Sequence, residues 1–265
     1  MSFADKVIVV TGASDGIGAE LARQLAADKP TLVLAARRRD ALEAVARQCA
    51  AAGGQTLCVV TDVSVEADCR ALIAATVEKF GRIDALVNNA GVSMHANFGE
   101  IADTAVYENL MRINLMGSIW PTHAALSHLR ASKGLIVAVA SLAGLVGVPG
   151  RTTYCATKFA QTGFFEALRV ELQPEGIDVC IVYPGVVATE IRRNGWNAKG
   201  ETAGTSGLSE ATAMSVEACA GLIVSAMRSR KREEVMSVKG KLGRWMKLIA
   251  PKKVDAMARA ALAKT

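Results

Sequence analysis

The 265-residue sequence predicts an α/β fold, a doubly wound parallel β-sheet flanked by helices on both faces. Three observations carry that expectation. Short apolar runs alternate with helix-length periodic segments from the N-terminus to about residue 185. The runs are continuous in Val, Ile and Leu rather than strictly alternating, which marks strands covered on both faces. A glycine-rich turn, "TGASDGIG", sits between the first strand and the first helix. With 51% apolar and 21% charged residues the chain has ample material for a large core and lacks the composition of a disordered one.

In chain order, "KVIVVTG" reads as the first strand and Ile17 to Ala27 as the first helix. "TLVLAAR" and a helix from Asp40 to about Ala52 follow, then "QTLCVVTDV" and a helix from about Glu66 to Phe80. "IDALVNNAG" precedes a helix around 104–118, "GLIVAVAS" a helix around 153–172, and "IDVCIVYPG" closes the series. The uncharged stretch 134–150 is too short for a typical membrane span and is broken by glycines and a proline, so it reads as a buried strand and a loop. Residues 190–214, rich in Gly, Thr, Ser and Ala, read as a flap over the site, against a tolerated surface insertion as the alternative. A helix at 216–228 and a strand "EEVMSV" at 233–238 complete the sheet edge. Residues 1–265 are expected to form one domain: a core to 190, the flap at 190–214 and a tail at 239–265.

The net charge of +6 is unevenly spread. From Arg228 onward twelve Lys/Arg stand against three Asp/Glu, whereas the preceding residues carry nineteen against twenty-two. The basic character belongs to the tail, and no recognition motif accompanies it, so nucleic-acid binding is not expected. Six cysteines without C-x-x-C spacing and three histidines make no metal constellation. They fit a reduced, cytoplasmic chain with most thiols packed as small hydrophobes, and the N-terminus lacks a signal-peptide pattern.

The cofactor end is readable from spacing. Gly12, Gly16 and Gly18 form G-x-x-x-G-x-G. Glycine there allows positive φ and close approach of a pyrophosphate, while the helix N-terminus, with Ser14, Asp15 and Ile17 around it, offers free N–H groups. The second strand ends "LAARRRD". An acidic residue at its end would grip a ribose 2′-hydroxyl, but this chain has Ala36 followed by Arg37 and Arg38. Guanidinium groups suit a 2′-phosphate, each contact being worth about 1.5–3 kcal/mol, or about ten- to a hundredfold in affinity. NADP(H) is therefore expected over NAD(H). Asp62 and Val63 in "TDVS" are placed toward an adenine ring, and Asn89, Ala90 and Gly91 in "NNAG" toward a ribose.

With "NNAG", Asn114 in "RINLMG", Ser141 in "AVAS", Tyr154 and Lys158 in "YCATK", and "YPGVVAT" at 183–189, the chain resembles the Ser–Tyr–Lys subfamily of the short-chain dehydrogenase/reductase superfamily. These motifs cover residues 7–190 in the family's order. The resemblance implies a Rossmann-type fold and transfer of hydride between a nicotinamide and a ketone or secondary alcohol. It casts Tyr154 as general acid/base, Ser141 as donor to the substrate oxygen, and Lys158 as ligand of the nicotinamide ribose. Asn114 would hold a water that relays protons to Lys158. Pro184, Gly185, Val187 and Thr189 would close the nicotinamide end. A spacing of four puts Tyr154 and Lys158 on one helical face, where an ammonium is expected to lower the phenol's pKa. Cys155 would be a small helix residue, redox-sensitive if exposed, and Met94, Phe98 and Trp196 lie in loops expected near the substrate. The histidines are expected to be packing or surface residues.

The tail "KLGRWMKLIAPKKV" mixes apolar and basic residues at roughly helical spacing and resembles the hydroxysteroid-dehydrogenase-like branch. Three roles stay open for it: substrate entrance, subunit packing in a homodimer or homotetramer, and peripheral contact with an anionic membrane. The expected substrate is a small hydrophobic carbonyl or alcohol. A 3-oxoacyl-thioester reductase is the alternative, and a catalytically silent NADP(H)-sensing protein the alternative from another class.

Overall fold

The computed structural model describes residues 2–204 and 213–262, and side chains to 260. Seven parallel strands run in the order β3-β2-β1-β4-β5-β6-β7. They are β1 (Val7–Thr11), β2 (Thr31–Ala36), β3 (Gln55–Val60), β4 (Ala85–Asn88), β5 (Leu135–Val139), β6 (Asp178–Tyr183) and β7 (Glu233–Val235). The central strands β1, β4 and β5 are buried along their whole length, which is why their sequences are Val, Ile, Leu and Ala up to the terminal Thr11 and Asn88. Alternate residues feed opposite layers. Ile8 and Val10 pack with Leu21, Leu25 and Ile223, whereas Val7 and Val9 pack with Leu72, Leu129 and Phe165.

The connecting helices are α1 (Gly16–Ala26), α2 (Arg39–Ala51), α3 (Glu66–Phe80), α4 (Ala105–Met111), α5 (Gly117–Ser132), α6 (Thr152–Leu172) and α7 (Val216–Arg228). The helix expected around 104–118 differs: α4 passes through a π-helical turn, Arg112–Met116, into α5, which continues to Ser132. Before Leu129 the inward side of α5 is Gly117, Ser118, Pro121, Thr122 and Ala125, small residues that leave little apolar period to read. The last strand is also shorter than expected. It ends at Val235, and the chain turns into α8 (Val238–Ile249) and α9 (Pro251–Leu262). Of the expected flap, residues 205–212 lie outside the described residues. Its remainder is turns held by Trp196, which bridges Met94 and Thr202. No described helix is long and apolar enough to cross a membrane.

Candidate active site

The sheet order reverses at β1, whose neighbours are β2 and β4, and such a switch point opens a crevice at the strands' carboxyl ends. Two cavities lie there. The first, about 570 Å3, is lined by the turn after β1 (Gly12, Ser14, Asp15, Gly16, Ile17) and by Arg37 and Arg38 after β2. Asp62 and Val63 after β3, Asn89, Ala90 and Gly91 after β4, and Thr189 complete its expected lining.

The glycines have separate jobs. Gly12 holds φ +65°, and a Cβ there would stand 2.8 Å from Ala90 Cα. A Cβ on Gly18 would collide with the Gly12 carbonyl and the Asn89 amide. Gly18 does not line the cavity; it lets α1 seat against the turn. Asn89 also differs from expectation. Its Nδ2 donates to the Thr11 and Gly12 carbonyls at 3.0 and 3.2 Å, so its amide braces the turn. Asp62 accepts from both Ser64 N and Ser64 Oγ, at 2.9 and 2.7 Å. Arg38 pairs with Asp15 at 3.4 Å, both exposed. The cleft, with its backbone cradle and a basic pair at one end, fits a dinucleotide.

The second cavity adjoins the first and is lined by Ser141, Tyr154, Lys158, Pro184, Gly185 and Val187. Ser141 lies two residues beyond β5 in extended backbone, and its loop is tied to β6 and the residue after it by Ala140 N to Val182 O and Leu142 N to Pro184 O, 2.9 and 3.0 Å. Tyr154 and Lys158 lie one turn apart on α6 and are 7% and 4% exposed. Burial pushes the phenol's pKa up, and the nearby Ser141 hydroxyl and the charges of Arg151 and Arg192 pull down without prevailing. The expected lowering by Lys158 is therefore not found. The ammonium stands 5.8 Å from the ring centroid, and burial pulls its own pKa down to about 7.

Lys158 Nζ donates to the Val139 carbonyl at 3.0 Å and to Gln161 Oε1 at 2.8 Å. Gln161 Nε2 donates to Ser118 Oγ at 2.7 Å, and Ser118 Oγ to the Asn114 carbonyl at 3.0 Å. Asn114 lines neither cavity. Its side chain accepts from Val92 N and donates to Val92 O and Thr157 Oγ1, all within 3.0 Å, clasping the chain after β4 to α6. The π-turn that carries it is a common device at functional sites. Gln161, Ser118 and Arg151 were not singled out from sequence. Gln161 lies three residues from Lys158 on α6, but its link to Ser118 and the link of Arg151 to Ser93 join distant parts of the chain.

Burial bears on other expectations. Cys155 is a small, buried helix residue as expected, with its thiol against Val148 and its pKa raised by burial. Met94 is packed in the core, Phe98 is exposed and faces Tyr107, and Trp196 lines the first cavity; none reaches the second. The tail does. Lys239, Gly240, Leu242, Gly243 and Met246 of α8 and Val254, Met257 and Ala258 of α9 form one wall. Lys247 fixes α8 in place, donating to Leu145 O at 3.1 Å and lying 4.6 Å over the Phe159 ring.

Residues 6–200 match the family model described as short chain dehydrogenase. Among curated proteins, 11-beta-hydroxysteroid dehydrogenase-like 4A of Arabidopsis thaliana is 43% identical over 183 residues, 69% of this chain and 61% of the relative. The 11-beta-hydroxysteroid dehydrogenase A of Sesamum indicum is 40% identical over 199 residues, 75% of this chain and 57% of the relative. The match thus spans about three fifths of these relatives' length, 61% and 57%. Among solved structures, an alcohol dehydrogenase from the archaeon Thermococcus sibiricus complexed with 5-hydroxy-NADP superposes with a TM-score of 0.76 at 26% identity, covering 87% of this chain and 94% of that one. A short chain dehydrogenase/reductase from Burkholderia phymatum in complex with NAD gives 0.78 at 25% identity, covering 89% and 90%.

Proposed function

The chain belongs to the short-chain dehydrogenase/reductase family of oxidoreductases, and from that premise we propose that it is NADP(H)-dependent and interconverts an apolar ketone and its secondary alcohol. The observation that carries the reading is the Ser141–Tyr154–Lys158 arrangement at the junction of a dinucleotide-shaped cleft and a mostly apolar cavity. Bound nicotinamide supplies or accepts the hydride. Tyr154 gives its phenolic proton to the carbonyl oxygen during reduction and takes it back during oxidation. Ser141, which lines the same cavity as the phenol, orients the same oxygen. Lys158, one turn along α6 and 5.8 Å from the ring centroid, holds the nicotinamide ribose beside the phenol. Arg37 and Arg38, with no acid at the end of β2, support the choice of the 2′-phosphorylated cofactor. Solved relatives carry either form, an NADP derivative in one and NAD in the other.

One assay series tests this reading: a ketone panel with NADPH and NADH, on wild type, Tyr154→Phe and Arg37→Asp. Tyr154→Phe is expected to lose nearly all turnover while binding NADPH normally; retaining more than about a tenth of kcat argues against its role. Arg37→Asp is expected to shift kcat/KM toward NADH, and a wild type that prefers NADH removes the NADP(H) assignment.

A further inference from the structure

The cavity beside Tyr154, about 440 Å3, has mostly apolar walls, including Leu142, Val148, Val187, Met246 and Met257. Its charged lining is of one sign. Besides Lys158 it contains Arg151, Arg192 and Lys239, and no Asp or Glu among the described residues. The adjoining cleft, by contrast, has Asp15, Asp62 and Glu190 in its walls. Arg151 is the telling residue. It is 7% exposed, and Nη1 donates to Ser93 Oγ at 3.2 Å, while Nε and Nη2 meet no acceptor among the described residues. The groups acting on its charge are Tyr154, Arg192 and Cys155: a cation and two weak acids that burial keeps neutral. A guanidinium does not escape the cost of burial by losing its proton. Such a charge without a counter-ion is strongly unfavourable, and the partner that relieves it is an anion.

We propose that this cavity takes an organic anion, the substrate being an apolar carbonyl compound that carries a carboxylate recognised by Arg151. The inference rests on the carbonyl-reduction reading and names its substrate class. Arg151 borders Tyr154, its guanidinium carbon lying 5.8 Å from the ring centroid, so the carboxylate end of a bound molecule is near its reacting end. Lys239 adds charge of the same sign, and the apolar walls accept the chain. A planar, singly charged carboxylate matches the fork of one guanidinium and brings less charge to desolvate than a phosphate.

The test has a binding arm and a turnover arm on the full-length, NADPH-bound protein. Calorimetry compares decanoate with decanamide, equal in length and differing in charge. Decanoate is expected to bind at least tenfold more tightly, and Arg151→Met to abolish the difference while Arg151→Lys keeps part of it. Equal binding of the two by wild type overturns the proposal, as does undiminished decanoate preference in folded Arg151→Met. The turnover arm compares oxodecanoates, with the ketone at carbons 3 to 6, against their methyl esters. At least one acid is expected to exceed its ester tenfold in kcat/KM, and wild-type preference for every ester overturns the proposal. Because binding needs no reaction, decanoate preference without any ketone turnover refutes the reductase reading and leaves the anion site standing. Ketone turnover with no charge preference does the reverse.

Discussion

Lys158 presents three N–H donors, and the fold fixes acceptors for two of them, the Val139 carbonyl and Gln161 Oε1. The orientation of the Gln161 amide is itself determined. Ser118 Oγ spends its proton on the Asn114 carbonyl, so it can only accept from Gln161, which leaves the amide oxygen for the ammonium. A neutral acceptor steadies the cation without neutralising it, and burial still holds the lysine near a pKa of about 7. Gln161→Leu removes an acceptor of the charged form, so the lysine's pKa falls further. An ammonium is lost as pH rises through its pKa, so the basic limb of kcat/KM for reduction is expected to move to lower pH by roughly one unit. Gln161→Glu is expected to move it upward, and a limb that stays put in both variants would falsify this role. None of this was visible in the sequence, where Gln161 is one polar residue among helical neighbours. Tyr154 and Lys158 could be read because both lie on one helix at a fixed spacing, whereas Gln161 acquires its meaning from Ser118, on α5.

At the scale of elements, legibility followed the source of each signal. The inner strands could be read because burial on both faces leaves them mostly Val, Ile, Leu and Ala, and α3 and α7 begin and end where their periodicity does. The extent of the α4–α5 segment could not, because between Leu110 and Leu129 its buried residues are Asn114, Gly117, Ser118, Pro121, Thr122 and Ala125, none of them large and apolar. The tail was legible as amphipathic but not as to what it faces, since the wall it meets, around Leu142 and Phe159, comes from distant sequence. Its two sides differ in consequence. Gly240 and Met246 line the second cavity and are partly buried, while Trp245 and Ile249 are 63% and 84% exposed. The cofactor cleft, by contrast, is lined by no residue beyond Thr202 among those described. Truncation after Val238 is therefore expected to raise KM for apolar carbonyls about tenfold or more, through lost apolar contact, and to leave the Kd for NADPH within about twofold. A change confined to NADPH binding would contradict this assignment of the wall.

Across the whole molecule the sheet separates chemistry from anchorage. Both cavities sit at the strands' carboxyl ends, whereas Asp84 clasps the amino ends of the central strands. Its carboxylate accepts from Val7 N at 3.0 Å and from Arg82 at 2.9 and 2.6 Å, and lies 3.3 Å from Lys6. Its backbone bridges Val7 O and Leu135 N, at 2.8 and 2.9 Å, so one residue joins β1, β4 and β5. Burial pushes its pKa up, but the Arg82 and Val7 hydrogen bonds and the neighbouring charges prevail and hold it below its usual value. A carboxylate depressed on folding adds stability above its unfolded pKa, and that contribution is lost as pH falls through the folded value. Because Arg82 is half exposed, Asp84→Asn is expected to cost about 1–2 kcal/mol near neutral pH, or roughly 2–8 °C in Tm. The gap between wild type and variant should close on acidification below the usual aspartate range. The folded variant's kcat/KM should match wild type, because no cavity residue touches the clasp. Thermal unfolding from pH 7 to pH 3, paired with steady-state assays at pH 7, checks both halves. A constant gap in Tm across that range would remove the charge of Asp84 as its cause, and a loss of turnover would show that the two ends of the sheet are coupled.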